Sequence, residues 1–370
     1  MFERGSEYRY WLWMHTCLTT ASRTFYYLIS EYRSAKAVFE AAAERKIVQT
    51  NFISKAAVDR LNQGMDEDKI DEYIARYEAK GIRMVASIDP NYPRLLAEIF
   101  DSPSILYYKG ELHPELDIPI AVIGARKCTD YGRRVARTLS KQLVDFGGCV
   151  ISGLAYGIDT EAAMGALKSK ASDYATIAVL GSSFDSVYPK ANEKLARQIE
   201  ERGAVVTEFP NGYPTTSKNF SARNRVISGL SRGVMVVEAG EKSGTSITVD
   251  YALEQGRDVF AVPGRLTDEM SFGTNRMIRE GTAKPVFGIN DILEEYNLHA
   301  EPNKTLRKED KQTLEPDTLY VYEVIKKAPI NFDELCIMTG YTPAMLNCIL
   351  TELEFSSLIS QSLGRVYTAL

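Results

Sequence analysis

The sequence contains few of the residues that hold metal ions or act as nucleophiles. It has five cysteines and three histidines in 370 residues, and no two cysteines form a CxxC pair. The cysteine spacings fit no zinc site, and three dispersed histidines do not favour a Ser-His-Asp triad. We therefore expect no metal site and no bound cofactor, and the odd cysteine count indicates a reduced, cytoplasmic protein.

The chain also lacks long apolar runs and an excess of basic residues. No stretch is long and apolar enough to span a membrane, and the N-terminus has no signal-peptide core. The formal net charge is −5, from 44 Lys and Arg against 49 Asp and Glu. Any nucleic-acid site must therefore be a local patch.

Two common nucleotide-binding motifs are missing as well. The turn at 124–132 lacks GxGxxG, and Ser152 ends the next predicted strand where a ribose-binding acid would be expected. The same turn lacks the GxxxxGK[ST] of a P-loop. These absences argue against a nicotinamide site and against a P-loop.

What the chain does contain predicts several domains, because 370 residues exceed what one core usually spans. Residues 1–84 are predicted to form a compact helical module, with helical periodicity over Thr24–Glu44 and Asp66–Lys80. This module has 13 basic and 12 acidic side chains and lacks the glycine hairpin of a helix-hairpin-helix motif. We interpret it as a degenerate SAM-like or helix-hairpin-helix-like module, not as a basic clamp.

Residues 85–298 show a different pattern. They begin with a proline-rich connector, in which the piece Ser102–Gly110 is predicted to form an edge strand that ends in a turn. From Ile120 onward, short apolar strands alternate with loops and helices, which indicates a doubly wound, mainly parallel sheet of the extended Rossmann-like, α/β class. The predicted strands are Ile120–Ile123, Cys149–Ser152, Thr176–Leu180, Val205–Thr207, Val234–Val237 and Val259–Val262.

The loops that follow these strands are expected to meet at one edge of the sheet. In a parallel sheet such loops open on the carboxyl edge, where ligands bind. They contain Arg126, Lys190 and several glycines, and the stretch Ala222–Gly264 adds a basic helix and a glycine-rich loop that leads into a helix N-terminus. These groups suit phosphate binding, and the alternative is a solvated basic helix packed on the sheet.

The C-terminal part follows a polar segment. Residues 299–316 are a predicted linker of low apolar content, and residues 317–370 are predicted to form three helices and a hairpin, as in a winged helix. The third helix, Pro343–Phe355, has two glutamates and no Lys or Arg. Residues 318–370 hold three basic and five acidic side chains. We therefore expect this domain to contact protein and not to enter a DNA groove.

Taken together, the loops resemble one protein family, DNA-processing protein A (DprA/Smf). The resemblance covers roughly residues 88–293 and implies an extended Rossmann fold that binds single-stranded DNA, without established catalysis. It further implies homodimers that protect incoming DNA and load the RecA recombinase during natural transformation. The matching segments are GARKCTDYG (124–132), SGLAYGID (152–159), VLGSSFDSVYPKAN (179–192), EFPNGYP (208–214), FSARNRVISGLS (220–231), VVEAGEKSGTSIT (236–248), GRDVFAVPG (256–264) and SFGTNRMIREGT (271–282).

The resemblance also implies roles for single residues. Arg126 would be the leading DNA contact, supported by Lys190 and by the cluster Arg223, Asn224 and Arg225. Small residues would shape the pocket, namely Ser152, Gly153, Gly157, Gly244 and Thr245.

Five apolar or aromatic positions have two interpretations each. Tyr156 and Phe184 are candidates for base stacking or for core packing. Ile278, Ile289 and Leu293 are candidates for the dimer interface or for an ordinary amphipathic core face.

Two other functions stay open from the residues. One is a nucleotide enzyme, because lysine-decarboxylase-like phosphoribohydrolases have a PGGxGTxxE loop at the position of Gly240–Thr248. Here Asp250 is the first acid after Gly244-Thr245, so this loop lacks the acids that a cation-like transition state needs. Glu238 and Asp159 would be the remaining candidates for a catalytic pair. The other is a nucleotide sensor whose winged helix reports to a partner.

Overall fold

A computed structural model of the chain describes residues 2–20, 22–241, 243–298, 316–355, 358–362 and 365–369. The chain forms two compact units, Met1–His299 and Ala300–Leu370, which are described separately. None of the helices in the described ranges is long and apolar enough to cross a membrane.

The first unit is built on a nine-stranded sheet whose spatial order is β1-β2-β6-β5-β4-β3-β7-β8-β9. Strands β3 to β9 run parallel to one another, whereas β2 is antiparallel to both β1 and β6. The mainly parallel sheet confirms the predicted fold class. The strands are β1 (Arg83–Ala86), β2 (Ile105–Gly110), β3 (Pro119–Ile123), β4 (Cys149–Ser152), β5 (Thr176–Val179), β6 (Gly203–Thr207), β7 (Gly233–Val236), β8 (Asp258–Ala261) and β9 (Lys284–Pro285).

Helices cover both faces of this sheet. Along β6, Val206 packs in the same apolar cluster as α10 and α11, while its neighbour Val205 packs with α8 and α9, as the alternation of a strand requires. Burial on both faces explains why the parallel strands are apolar without interruption. The helices of this region are α6 (Arg94–Ala97), α7 (Asp130–Asp145), α8 (Ile158–Lys168), α9 (Glu193–Glu201), α10 (Ser217–Gly229), α11 (Thr245–Glu254), α12 (Phe272–Arg279) and α13 (Ile289–Glu295).

The N-terminal helices share a core with the end of the sheet. Trp11 and Trp13 are buried in one cluster with Met84 of β1 and Tyr107 of β2. Their aromatic side chains therefore form core, as aromatic residues commonly do. These helices are α1 (Glu7–Leu18), α2 (Ser22–Tyr32), α3 (Ala35–Ala43), α4 (Lys55–Leu61) and α5 (Glu67–Glu78).

The periodic stretch Thr24–Glu44 forms two helices, because Arg33 has a positive φ of 73° and the Ser34 side chain caps α3. One local prediction was wrong. The strand Ile105–Gly110 is not at the edge, since β1 pairs with its outer side in antiparallel register. β1 has only four residues and crosses the end of the predicted helical module, so it gave no periodicity by which to find it.

The second unit has the three helices and the hairpin that were predicted for it. Its helices are α14 (Pro316–Ile325), α15 (Phe332–Thr339) and α16 (Pro343–Phe355), and Gly340 ends α15 with a φ of 69°. The strands β10 (Ile330–Asn331), β11 (Ile359–Ser362) and β12 (Val366–Ala369) form a sheet in the order β10-β12-β11. The predicted linker lies, apart from Pro316, outside the described residues.

Candidate nucleic-acid interface

A cavity of the first unit lies where the strand order reverses. From β3 the chain crosses to β4 on one side, while β7 pairs with the other side of β3. The carboxyl ends of strands at such a switch point form a ligand crevice in α/β proteins. This cavity, hereafter the crevice, has a volume of about 860 Å³ and is lined by residues 123–127, Ala155, Asp159, Tyr188, 215–217, 220–221, 223–224, Ile227, Gly240, 243–245, 247–248 and Met270.

Two helix N-termini meet at the crevice. Thr216 is the N-cap of α10 and Gly244 is the N-cap of α11, and both residues line the cavity wall. Neither N-cap residue accepts a backbone N–H through its own side chain, although Thr216 donates to the Asn219 side chain at 2.6 Å and the Thr245 N–H donates to Ser243 Oγ at 3.3 Å. The dipoles of both helices favour an anion beside these ends. Thr245, which is buried in the first turn of α11, donates its hydroxyl to Ser243 Oγ at 2.8 Å and orders this loop.

Exposed and buried cations take different places in the crevice. Arg126 and Lys127 line it with exposed side chains. Arg223 also lines it, yet only 5% of this residue is exposed, and its guanidinium donates to the carbonyl oxygens of Gly153 (2.6 Å) and Val179. Burial lowers the pKa of Arg223 to about 10, and the nearby Asp159 carboxylate raises it. Arg223 therefore holds two strand ends, and Arg126 is free to meet a ligand.

Glycines allow close backbone approach beneath Arg126. Gly157 has a φ of 77°, and a Cβ there would overlap the carbonyl oxygen of Ala125 and lie 2.5 Å from that of Arg126. At Gly153 a Cβ would lie 2.6 Å from the Arg223 guanidinium. The neighbouring Ser152 is fully buried and does not line the crevice. The glycines of the SGLAYGID segment thus fix the position of the Arg126 loop.

Aromatic side chains surround a smaller cleft beside the crevice. Tyr156, Tyr188 and Phe220 line this cleft. Tyr156 and Tyr188 have 46% and 47% of their surface exposed, and the ring centroids of Tyr188 and Phe220 are 5.5 Å apart. Phe184, the other stacking candidate, packs against the N-terminal helices and α9 and lines neither cavity. The stacking role considered for Phe184 does not fit this placement, because its ring belongs to the core.

Two of the predicted cationic contacts lie outside the crevice. Only 4% of Arg225 is exposed, and its guanidinium is paired with Glu208 (2.7 Å) and Asp101 (3.0 Å). This is a correction for Arg225, since consecutive positions of a helix point in directions about 100° apart, and Arg223 and Asn224 line the crevice whereas Arg225 does not. Lys190 is exposed in the turn Lys190–Asn192 and lines neither cavity.

The two buried carboxylates of the crevice region bind backbone groups. Asp159 accepts hydrogen bonds from the N–H groups of Gly153 (2.9 Å) and Ala155 (3.4 Å), and burial raises its pKa. Glu238, 2% exposed, accepts from the N–H (2.9 Å) and the hydroxyl of Thr129. Both acids order loops. Within the described residues, no group of three or more His, Cys, Asp or Glu is arranged to hold a metal ion.

The three candidates for the dimer interface also differ in how deeply they are buried. Ile289 and Leu293 are buried on the inner face of α13, so they do not form a docking surface. This is a correction, because the amphipathic face of α13 covers the core of its own chain. Ile278 is half-buried, and Phe287 after β9 is exposed.

Several residues of the site escaped prediction from the sequence. Tyr188 and Phe220 lie within the segments VLGSSFDSVYPKAN and FSARNRVISGLS, but their ring positions depend on two loops that meet only in the fold. The hydroxyls of residues 215–217 lie at the N-terminus of α10, which begins at Ser217 and therefore ahead of the stretch Ala222–Gly264 that contained the predicted basic helix. The run of three hydroxyl residues before a basic helix was the feature of the sequence from which this part of the site could have been predicted.

Comparison with known protein families covers most of the chain. The family model described as DNA recombination-mediator protein A matches residues 83–297. The model described as DprA winged helix domain matches residues 306–365.

Individual relatives agree with the family models. Protein Smf from Synechocystis sp. is 34% identical over 331 residues, which is 80% of this chain and 82% of the relative. DNA processing protein DprA from Streptococcus pneumoniae is 42% identical over 215 residues, covering 57% of this chain and 73% of that protein.

Solved structures show the same fold. The X-ray structure of DprA from Streptococcus pneumoniae aligns with a TM-score of 0.66 and 32% identity, over 80% of this chain and all of that one. DNA processing protein A from Helicobacter pylori, described for its single-stranded DNA binding mode, aligns with a TM-score of 0.52 and 28% identity, over 59% and 97% of the two chains. Because the two family models match residues 83–297 and 306–365 and a relative is 34% identical over 80% of the chain, the chain belongs to the DprA/Smf family of DNA processing proteins.

Proposed function

We propose that the crevice binds single-stranded DNA and that the protein is a recombination mediator. The observation that carries this proposal is the convergence of exposed Arg126, Asn224 and two helix N-termini on one cavity of about 860 Å³. Arginine holds a phosphate through two N–H groups at once, and helix N-termini add backbone donors.

The aromatic cleft supports a preference for single strands. Tyr156, Tyr188 and Phe220 border the crevice, and unpaired bases can stack on such rings. In a duplex the bases are already stacked and paired, so only the phosphate contacts would remain. The single-stranded DNA binding of the Helicobacter pylori relative points the same way.

We infer further that the protein acts without catalysis. Asp159 and Glu238, the acids considered for a phosphoribohydrolase, accept backbone N–H groups and are nearly fully buried. A glycosidic reaction would need carboxylates that face the ribose.

The physiological role proposed here follows from the family. We infer that the bound strand is protected and handed to RecA recombinase during natural transformation, in the cytoplasm. Family membership and the crevice support this role. The winged helix is proposed as a protein contact, because α16 has no Lys or Arg.

A homodimer is also proposed. Half-buried Ile278 on α12 and exposed Phe287 after β9 give the end of the sheet an apolar surface that a second copy could cover. Ile289 and Leu293 are left out of this proposal because they are buried.

A competition experiment tests the function. A fluorescent single strand of about 20 nucleotides, longer than the common site sizes, is titrated with protein. The bound strand is then challenged with unlabelled single strand, duplex and mononucleotide. We expect displacement by the single strand at far lower concentration than by the other two. Displacement by mononucleotide at equal concentration would instead support the nucleotide sensor, and equal displacement by duplex would contradict the single-strand preference.

A further inference from the structure

One helix carries exposed cations away from the crevice. α7 begins directly after the loop that holds Arg126 and Lys127, and its Thr129 N-cap accepts from the Gly132 N–H. Its inner face is buried, through residues that include Ala136, Leu139 and Leu143. Its outer face carries a basic stripe of Arg134, Arg137 and Lys141, spaced three and four residues apart, with Arg133 next to Arg134.

The other helices that start near the crevice lack such a stripe. α7 has four basic and two acidic side chains. By contrast, α8 has one basic and two acidic side chains, α9 has two basic and three acidic ones, and α11 has two acidic side chains and no basic one. In α10, two of the three cations are buried. α12 has two cations, but Asp268 and Glu269 precede it at its crevice end. Among these helices, positive charge continues outward from the crevice along α7.

Three cations of this face are available to a ligand, whereas Arg137 pairs with the buried Glu161 carboxylate of α8. Arg134 makes no ion pair or hydrogen bond through its side chain within the described residues. Arg133 pairs with Asp130 at 3.5 Å and Lys141 with Asp145 at 2.8 Å, in both cases through a basic side chain that is about half exposed. Surface pairs of this kind contribute little to stability, so a phosphate can replace the carboxylate.

We propose that a bound single strand leaves the crevice along the outer face of α7, with Lys127, Arg134 and Lys141 contacting its phosphates in turn. This inference rests on the proposed function of the crevice. Between Asp130 and Lys141 the helix adds roughly 16 Å of contact at 1.5 Å per residue. A strand too short to extend beyond the crevice gains no affinity from this surface, whereas a longer strand gains affinity from it.

Two strand lengths separate the crevice from the α7 surface. The full chain, as wild type and as Arg134→Glu/Lys141→Glu, is titrated with single strands of about 5 and about 20 nucleotides at several salt concentrations. The matched control is Lys194→Glu/Arg197→Glu on α9, which changes the net charge equally on exposed positions. Far-UV circular dichroism and urea unfolding show whether each variant is folded.

We expect the α7 variant to bind the long strand about tenfold more weakly, with a salt slope shallower by about 1.4 for two lost phosphate contacts. Its affinity for the short strand stays unchanged, and the α9 control binds both strands as wild type does. An unchanged affinity for the long strand, or an equal loss in the α9 control, would overturn the α7 path and leave the crevice proposal standing. If the wild type binds neither strand, the proposed function itself fails.

Discussion

Three arginines within or beside the crevice have three distinct environments at the scale of single residues. Arg126 is exposed, Arg223 is buried and bonded to carbonyl oxygens, and Arg225 is buried in an ion pair. Solvent exposure leaves the N–H groups of Arg126 for a ligand, whereas burial commits those of the other two to the fold. The motif that contains Arg223 and Arg225 therefore contributes to binding mainly by shaping the crevice.

Removing Arg225 tests this division. The variant Arg225→Ala leaves the Glu208 carboxylate buried without its cation, so we expect a loss of about 3–5 kcal/mol in the free energy of unfolding. Arg126→Ala removes an exposed side chain and is expected to change that free energy by less than about 0.5 kcal/mol. Urea unfolding measures both. An Arg225→Ala protein of normal stability that has lost DNA binding would refute the structural role of Arg225.

Gly157 offers a second test at the same scale. Alanine there would have a positive φ and would overlap the backbone beneath Arg126, whereas Gly212 has a φ of 82° with no atom within 4 Å of its Cβ position. We expect Gly212→Ala to cost about 1 kcal/mol and Gly157→Ala to cost about 1–3 kcal/mol more. Equal costs in urea unfolding would show that the close approach at Gly157 is unimportant.

At the scale of elements, helix α1 is attached to the sheet through a buried histidine. His15 Nδ1 lies 3.0 Å from the Ser104 hydroxyl just before β2, and its ring is 2% exposed. Burial lowers the pKa of His15 from 6.5 to about 3. The folded protein therefore keeps this imidazole neutral at a pH where the unfolded chain protonates it.

This predicts a pH dependence of stability. Above pH 6.5 the imidazole is neutral in both states, and as the pH falls toward 3 the unfolded chain gains a proton that the folded chain does not. We expect this group to lower the free energy of unfolding by about 1.4 kcal/mol per pH unit below 6.5. His15→Gln is the control, since it removes this contribution while Glu208 and Asp159 still titrate. The same decline in the variant and the wild type would contradict the assignment.

The elements also show what the sequence could predict. Uninterrupted apolar runs such as Cys149–Ser152 are found as strands at their predicted positions, because burial on both faces demands this composition. The placement of β1, Phe184 and Tyr188 depended on contacts between segments far apart in sequence. Helical periodicity likewise showed that α13 has an apolar face, but not whether its own core or a second copy covers that face.

At the scale of the whole molecule, a chain with a net negative charge carries a local basic surface in its first unit. The chain has a net charge of −5, yet the crevice loop and α7 are basic, and α16 of the winged helix has no Lys or Arg. Local charge and not net charge should therefore govern binding.

Shortening the chain to residues 1–298 tests whether the winged helix takes part. This removes the whole second compact unit, together with His299, and keeps the sheet, the crevice and α7. We expect single-strand affinity to stay within about twofold, because the phosphate contacts are retained. Urea unfolding establishes that the shortened chain is folded. A tenfold or greater loss of affinity would show that the winged helix contacts DNA.

The most direct test of the central claim is the affinity of the Arg126→Ala protein for single-stranded DNA. Fluorescence anisotropy with a labelled oligonucleotide at two salt concentrations compares wild type, Arg126→Ala and Arg197→Ala, the last removing an exposed arginine of α9. We predict that affinity falls at least tenfold in Arg126→Ala alone and that the wild type weakens with salt. Wild-type affinity in Arg126→Ala would contradict the placement of DNA in the crevice.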